Sequence, residues 1–140
     1  MNKKDFLASL KEVYCRLAPT EHGVGVVAIR TIPKGTDPFK NCDPYADVLK
    51  IPEAELEAYE APEEAKRLVR DFCALQDGIY FVPSYGMDAI DKSYFLNHSS
   101  TPNMMTPDKG ETFLAAHDIK AGEELTADYG QYHEAKHFKR

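Results

Sequence analysis

Four strings in this chain carry side chains whose types and spacing could do chemistry. His22-Gly23-Val24-Gly25-Val26-Val27-Ala28 sets two glycines around a valine at a strand start. Glycine there lets the backbone approach a ligand closely or adopt a positive φ, although a G-x-G alone more often marks a turn. No helix follows, so this is not the G-x-G-x-x-G of dinucleotide binders. Asn97-His98-Ser99-Ser100-Thr101-Pro102-Asn103 puts an amide beside an imidazole, ahead of turn chemistry at Pro102-Asn103. Alone, that pair reads as a capped turn with a core histidine. Glu124-Leu125-Thr126-Ala127-Asp128-Tyr129-Gly130 contains one of eight tyrosines, and a tyrosine is usually a half-buried ring. His133-Glu134-Ala135-Lys136-His137 matches H-E-x-x-H, which on a helix sets two zinc ligands on one face. A catalytic zinc needs a third protein ligand and an open position. Only Phe138, Lys139 and Arg140 follow, so a zinc metalloprotease is the remote alternative, a polar tail is expected, and no metal site is assigned.

As an ordered set, G-x-G-V-x-A, N-H-S-x-x-P-N and E-L-T-x-D-Y-G resemble the signature of the SET-domain protein lysine methyltransferases, from about residue 14 to 130. The resemblance implies an α+β, mainly β fold of several small sheets with a helical insert. It also implies a C-terminal pseudoknot that brings the Tyr129 string beside Asn97. The implied cofactor is S-adenosylmethionine, met by His22, Gly23, Val24 and Gly25 through backbone groups. Asn97 and His98 would meet its methionine end and adenine, Asn103 would lock their loop, and Tyr129 would be the catalytic tyrosine beside the cofactor. Tyr80, Tyr94, Phe95 and Tyr132 are candidate walls of a substrate channel by proximity to these strings; ordinary core packing accounts for each equally well.

The implied reaction is an in-line displacement at carbon by a neutral lysine amine. With an ordinary pKa near 10.4, only about one lysine in 2,500 is neutral at pH 7, a cost of roughly 4.6 kcal/mol. An apolar aromatic channel lowers that pKa by desolvation, and a neighbouring sulfonium lowers it further. No strong base is then needed. A tyrosine hydroxyl, protonated at neutral pH, can orient the amine, and alignment supplies several kcal/mol.

Two positions depart from the family pattern. Tyr94 stands where many members have Arg, three residues before the Asn-His pair. Ala127 stands where many have Phe or Tyr, which leaves the number of methyl groups open. The cysteine-rich zinc-binding flanks of larger relatives are absent, as in the minimal free-standing SET proteins, and residues 131–140 are the candidate lid. The expected substrate is a protein lysine, in a histone-like or other basic tail. The rival is a SET-like peptide-binding module with little or no catalysis.

These residues need elements to hold them. Residues 1–12 read as a helical leader, 13–130 as the SET domain, and 131–140 as a tail. Alternating Val13, Cys15 and Leu17 predict a strand, and the β-branched run 24–30 predicts another. An insert over about 52–76 is helical: Pro52 and Pro62 suit first helical positions, and glutamates follow each. Leu68, Phe72 and Leu75 form an apolar stripe with Lys66, Arg67 and Arg70 turned away, and Asp77-Gly78 stops the helix. Strands return at 78–82, in a hairpin pairing 103–105 with 112–116, and at Leu125-Thr126. The absence of β-α-β alternation argues against a doubly wound fold.

Composition agrees with one ordinary globular domain. The 140 residues are 43% hydrophobic and 29% charged, and a chain of this length buries roughly 70% of its unfolded surface. A net charge of −6 disfavours nucleic acid and suits a basic peptide. Cys15, Cys42 and Cys73 are widely spaced and read as reduced, buried thiols. With no secretory signal and no apolar run near 20 residues, the expected protein is soluble and intracellular, cytoplasmic or nuclear, without membrane contact. Its oligomeric state is left open.

Overall fold

The computed structural model describes residues 1–40 and 48–133. Cys42, Glu134 and His137 fall outside them, and so does most of the H-E-x-x-H string. Helix α1 (Lys3–Ser9) is capped by Asn2, whose side chain accepts from the Asp5 amide; Leu10–Glu12 adds a 3₁₀ turn.

Strands β1 (Cys15–Thr20) and β2 (Gly23–Ala28) pair antiparallel from Cys15↔Ala28 to Thr20↔Gly23. Each begins or ends about two residues from its predicted bounds. Gly23 at φ +95° makes the tight reversal, which a side chain would resist. Strand β9 (Glu124–Ala127) pairs antiparallel with β2, and β6 (Asn97–His98) runs parallel to β9. This sheet, in the order β1-β2-β9-β6, carries the Asn97, Gly25 and Tyr129 strings on adjoining strands. A separate hairpin joins β7 (Met104–Met105) to β8 (Leu114–Ala115), as predicted.

The middle of the chain differs from its sequence reading. Helices α2 (Glu53–Ala58) and α3 (Glu63–Phe72) form, but Pro52 and Pro62 are their N-caps rather than first residues. Strand β3 (Val48–Pro52) precedes them, and β4 (Ala74–Gln76) and β5 (Ile79–Pro83) follow in a sheet ordered β3-β5-β4. Leu75 therefore lies in a strand, fully buried, while Leu68 is exposed. Asp77 (φ 53°) and Gly78 (φ 74°) form the two-residue reversal between β4 and β5, the positive-φ chemistry of a hairpin rather than a helix stop. Lys66 faces inward, and its Nζ donates to the Glu57 carbonyl at 2.8 Å, which is how a buried ammonium is tolerated.

Two apolar clusters result. Val26, Ile32, Leu96, Met104, Ile119 and Leu125 anchor the larger one, under the main sheet. Cys73, Leu75 and Tyr80 form the smaller one beneath the insert, with Tyr94 packed on it.

Candidate active site

Gly25 lies where three strings converge. A Cβ built on it would stand 2.4 Å from Glu124 Oε2, 2.8 Å from Asn97 Nδ2 and 2.9 Å from Thr20 Cγ2. Only glycine allows that approach. In the gap, Asn97 Nδ2 donates to Glu124 Oε2 at 2.8 Å and to the Val24 carbonyl at 3.2 Å. The other Glu124 oxygen meets His22 Nδ1 at 2.9 Å. That hydrogen bond raises the His22 pKa above its ordinary 6.5, because it favours the charged imidazolium. Glu124 thus ties His22 on the reversal to Asn97 across the sheet. It begins the Tyr129 string, but as a glutamate after a turn it reads from sequence as a solvated charge.

Asn103 locks the loop as expected, its Nδ2 donating to the Glu124 carbonyl and its Oδ1 accepting from the Thr126 amide, both at 2.8 Å. His98 Nδ1 accepts from the Tyr129 amide at 3.1 Å, which fixes this nitrogen as the unprotonated one. The imidazole lies 5.2 Å, centroid to centroid, from the Tyr129 ring.

Tyr129 is 5% exposed at the start of a 3₁₀ turn. Its hydroxyl donates to the carbonyl of Leu96, the residue before Asn97. One side of the ring thus meets the Asn97-His98 strand. The other lines a cavity of about 770 Å³ shared with Phe72, Cys73, Tyr94, Tyr132 and His133. Of the predicted channel residues, Tyr94 and Tyr132 line the cavity; Tyr80 is buried in the smaller cluster, and Phe95 packs on the larger core and against Phe72 at 5.1 Å. Ala127 is also in the core, outside the cavity, with its carbonyl accepting from the Ser99 amide.

Burial governs the electrostatics of this cavity. It pushes the Tyr94 and Tyr132 hydroxyls above the ordinary phenol range and the Cys73 thiol up to about 12. A medium that penalises thiolate and phenolate formation penalises an ammonium as well, so it lowers the pKa of a bound amine. Around it stand Asp37, Asp71, Asp91, Asp108 and Glu111, against Lys40, Lys50 and Lys109.

The family model of the SET domain matches residues 23–130. The chain belongs to the SET-domain family. Members of this family are generally methyltransferases that use S-adenosylmethionine and act on proteins, and the small sheets with a helical insert are the fold its signature implied. A solved structure of a Plasmodium falciparum "putative histone methyltransferase" is similar at 17% identity, with a TM-score of 0.48, over 84% of this SET protein and 93% of the other. No curated protein matches. Among the described residues no helix is long and apolar enough to cross a membrane. Nor do three or more His, Cys, Asp or Glu side chains among them gather to hold a metal.

Proposed function

We propose that this SET protein is a protein-lysine N-methyltransferase, moving a methyl group from S-adenosylmethionine to the amine of a lysine in a basic segment. The observation that carries the reading is the position of Tyr129, between the Asn97-His98 strand and an aromatic cavity, with its hydroxyl on the Leu96 carbonyl.

The residues fit the cofactor chemically. A Cβ at Gly23 would meet nothing within 4 Å, so the reversal leaves its backbone accessible beside a partly exposed His22. Glu124, Asp128 and the carbonyls of Val24 and Leu96 are acceptors suited to a ligand with a positive ammonium and sulfonium. His22, Gly23, Val24, Gly25, Asn97 and His98 would hold it. When bound, S-adenosylmethionine supplies an electrophilic methyl group.

The chain's own groups do the rest. Rim carboxylates draw the cationic lysine in. Aromatic walls strip its hydration and favour the neutral amine. Tyr129 keeps its hydroxyl proton in a hydrogen bond donated to the Leu96 carbonyl and presents its oxygen lone pairs to the amine, holding it in line. Asn97 and Glu124 keep that wall in register with the cofactor strand.

The test is transfer from radiolabelled S-adenosylmethionine to a histone mixture or lysate, with Tyr129→Phe in parallel. Wild-type labelling and a variant slowed on the order of 100-fold are expected. Equal labelling would remove Tyr129 from its role. Cofactor binding without labelling of any lysine-rich protein would leave a binding module, and no cofactor binding by calorimetry would refute the enzyme reading.

A further inference from the structure

The histidine that opens the H-E-x-x-H string does something else in the fold. Strand β4 is an edge of its sheet. In its two-residue hairpin with β5, Gln76↔Ile79 closes the turn, so Leu75↔Tyr80 is the next, non-hydrogen-bonded pair. The Leu75 N–H then points off the edge, where a donor needs a partner. His133 Nδ1 accepts it at 2.9 Å. Next to it, Gln76 Nε2 donates to the Tyr132 carbonyl at 2.7 Å and to the Lys109 carbonyl at 3.2 Å. The His133 amide donates back to the Tyr129 carbonyl at 2.7 Å, and the two rings meet edge-on at 6.3 Å. On the far side the Tyr132 ring lies 5.3 Å from Phe113 and covers Gly110, where a Cβ would stand 3.0 Å from Tyr132 Cβ.

We propose that His133 and Gln76 are positioning residues: a two-point clamp that fixes the Tyr129–His133 turn to the edge of the insert sheet and so sets the Tyr129 and Tyr132 rings in the cavity wall. The clamp joins the element that carries the tyrosine to the element that walls the substrate side, and neither hydrogen bond touches a reacting atom. Its expected effect on catalysis rests on the methyl-transfer reading; its existence does not.

Two readouts on the full chain separate these. Amide hydrogen exchange at Leu75 is expected to be slow in the wild type and at least about tenfold faster in His133→Ala. His133→Asn, whose Oδ1 takes the place of Nδ1 as acceptor, restores the protection. In methyl transfer, His133→Ala and Gln76→Ala lower kcat by roughly 10- to 100-fold, because small misplacements at the reacting centre are costly. The cofactor KM stays within about twofold, and His133→Asn recovers kcat. Unchanged Leu75 exchange in His133→Ala refutes the clamp, as does failure of a folded His133→Asn to restore it. A kcat within twofold of wild type refutes its role in positioning. If His133→Ala loses its cooperative melting transition, Gln76→Ala and His133→Asn decide the same questions. A wild type that labels no protein refutes the methyl-transfer reading, and Leu75 exchange then decides the clamp alone.

Discussion

Gly25→Ala should damage both the fold and the proposed cofactor corner, because the added methyl group has nowhere to go. Its Cβ would lie 2.4 Å from Glu124 Oε2, where ordinary contact begins at 3.4 Å. The carboxylate must retreat by about 1 Å, which takes a 2.8 Å bond to Asn97 beyond hydrogen-bond range. Losing a hydrogen bond to a charged group costs about 1.5–3 kcal/mol, and residual overpacking against Thr20 adds to it. The His22 contact is solvent-exposed and screened, so its small contribution is left out of this sum. A net loss of about 2–3 kcal/mol corresponds to a fall in Tm of roughly 6–12 °C for a domain of this size. The assay is thermal unfolding followed by circular dichroism, with S-adenosylmethionine calorimetry on the folded variant. A cycle with Glu124→Ala isolates the cause: removing the carboxylate first should make the glycine substitution less costly by about 1 kcal/mol or more. A Tm within 2 °C of wild type, or strict additivity in the cycle, would refute the claim that Gly25 exists to admit Glu124 and Asn97.

Two further outcomes follow from the titrating groups. The His22 imidazole should titrate above 6.5 by NMR and move down in Glu124→Gln, since the bond to that carboxylate is what raises it. Because the folded value is raised, the stability linked to this pair is fully present below about pH 6.5 and is lost as pH rises through the folded midpoint; a His22 midpoint at or below 6.5 would contradict the bridge. Cys15 and Cys73 should resist alkylation in the native protein at pH 8 and react after unfolding, as seen by peptide mapping. Both are buried, and burial pushes Cys73 up to about 12 and Cys15 above its ordinary 9.0 despite the pull of nearby Lys92. Native modification of Cys73 would show that the cavity wall opens to reagent.

Local rules alone read the three strings as a turn glycine, turn chemistry at Pro102-Asn103 and a half-buried tyrosine; they were legible as an ordered set, through their resemblance to the SET signature. Glu124 was not, because its meaning lies in partners 102 and 27 positions away, and no local pattern encodes them. The insert misled for a different reason. Leu68, Phe72 and Leu75 satisfy a helical period, but α3 stops at Phe72, and its inward positions are Lys66 and Val69 with Phe72 against Phe95. A lysine whose tip is satisfied by a carbonyl can occupy a face that hydrophobicity alone assigns to leucine. Asp77-Gly78 was recognised as a break but credited to the wrong element; positive φ at both residues serves a hairpin better than a helix end. His133 matched a zinc pattern whose first histidine instead gives its Nδ1 to a strand edge.

On the proposed reaction, the cavity must perform two opposed tasks, and its two kinds of lining divide them. Attraction of a lysine cation needs negative charge. Yet a carboxylate beside the amine would hold it protonated. Asp71 pairs with Arg67 at 3.7 Å, and three of the five cavity carboxylates are tied to backbone amides, Asp37 to Phe39, Asp91 to Ser93 and Asp108 to Thr112, each at 2.7–2.9 Å. Their charge steers at a distance while their oxygens stay tied to the backbone. The aromatic part of the lining is Phe72, Tyr94, Tyr129 and Tyr132. Burial lifts the Cys73 thiol from 9.0 to about 12, which gives the direction of the bias against charge in this wall. The cost of a neutral lysine at pH 7 is about 4.6 kcal/mol. A bias of the same direction on a bound amine offsets part of it, with no general base. Tyr129 is then left with orientation rather than proton abstraction, which is why the residues that hold its ring in place matter as much as its hydroxyl.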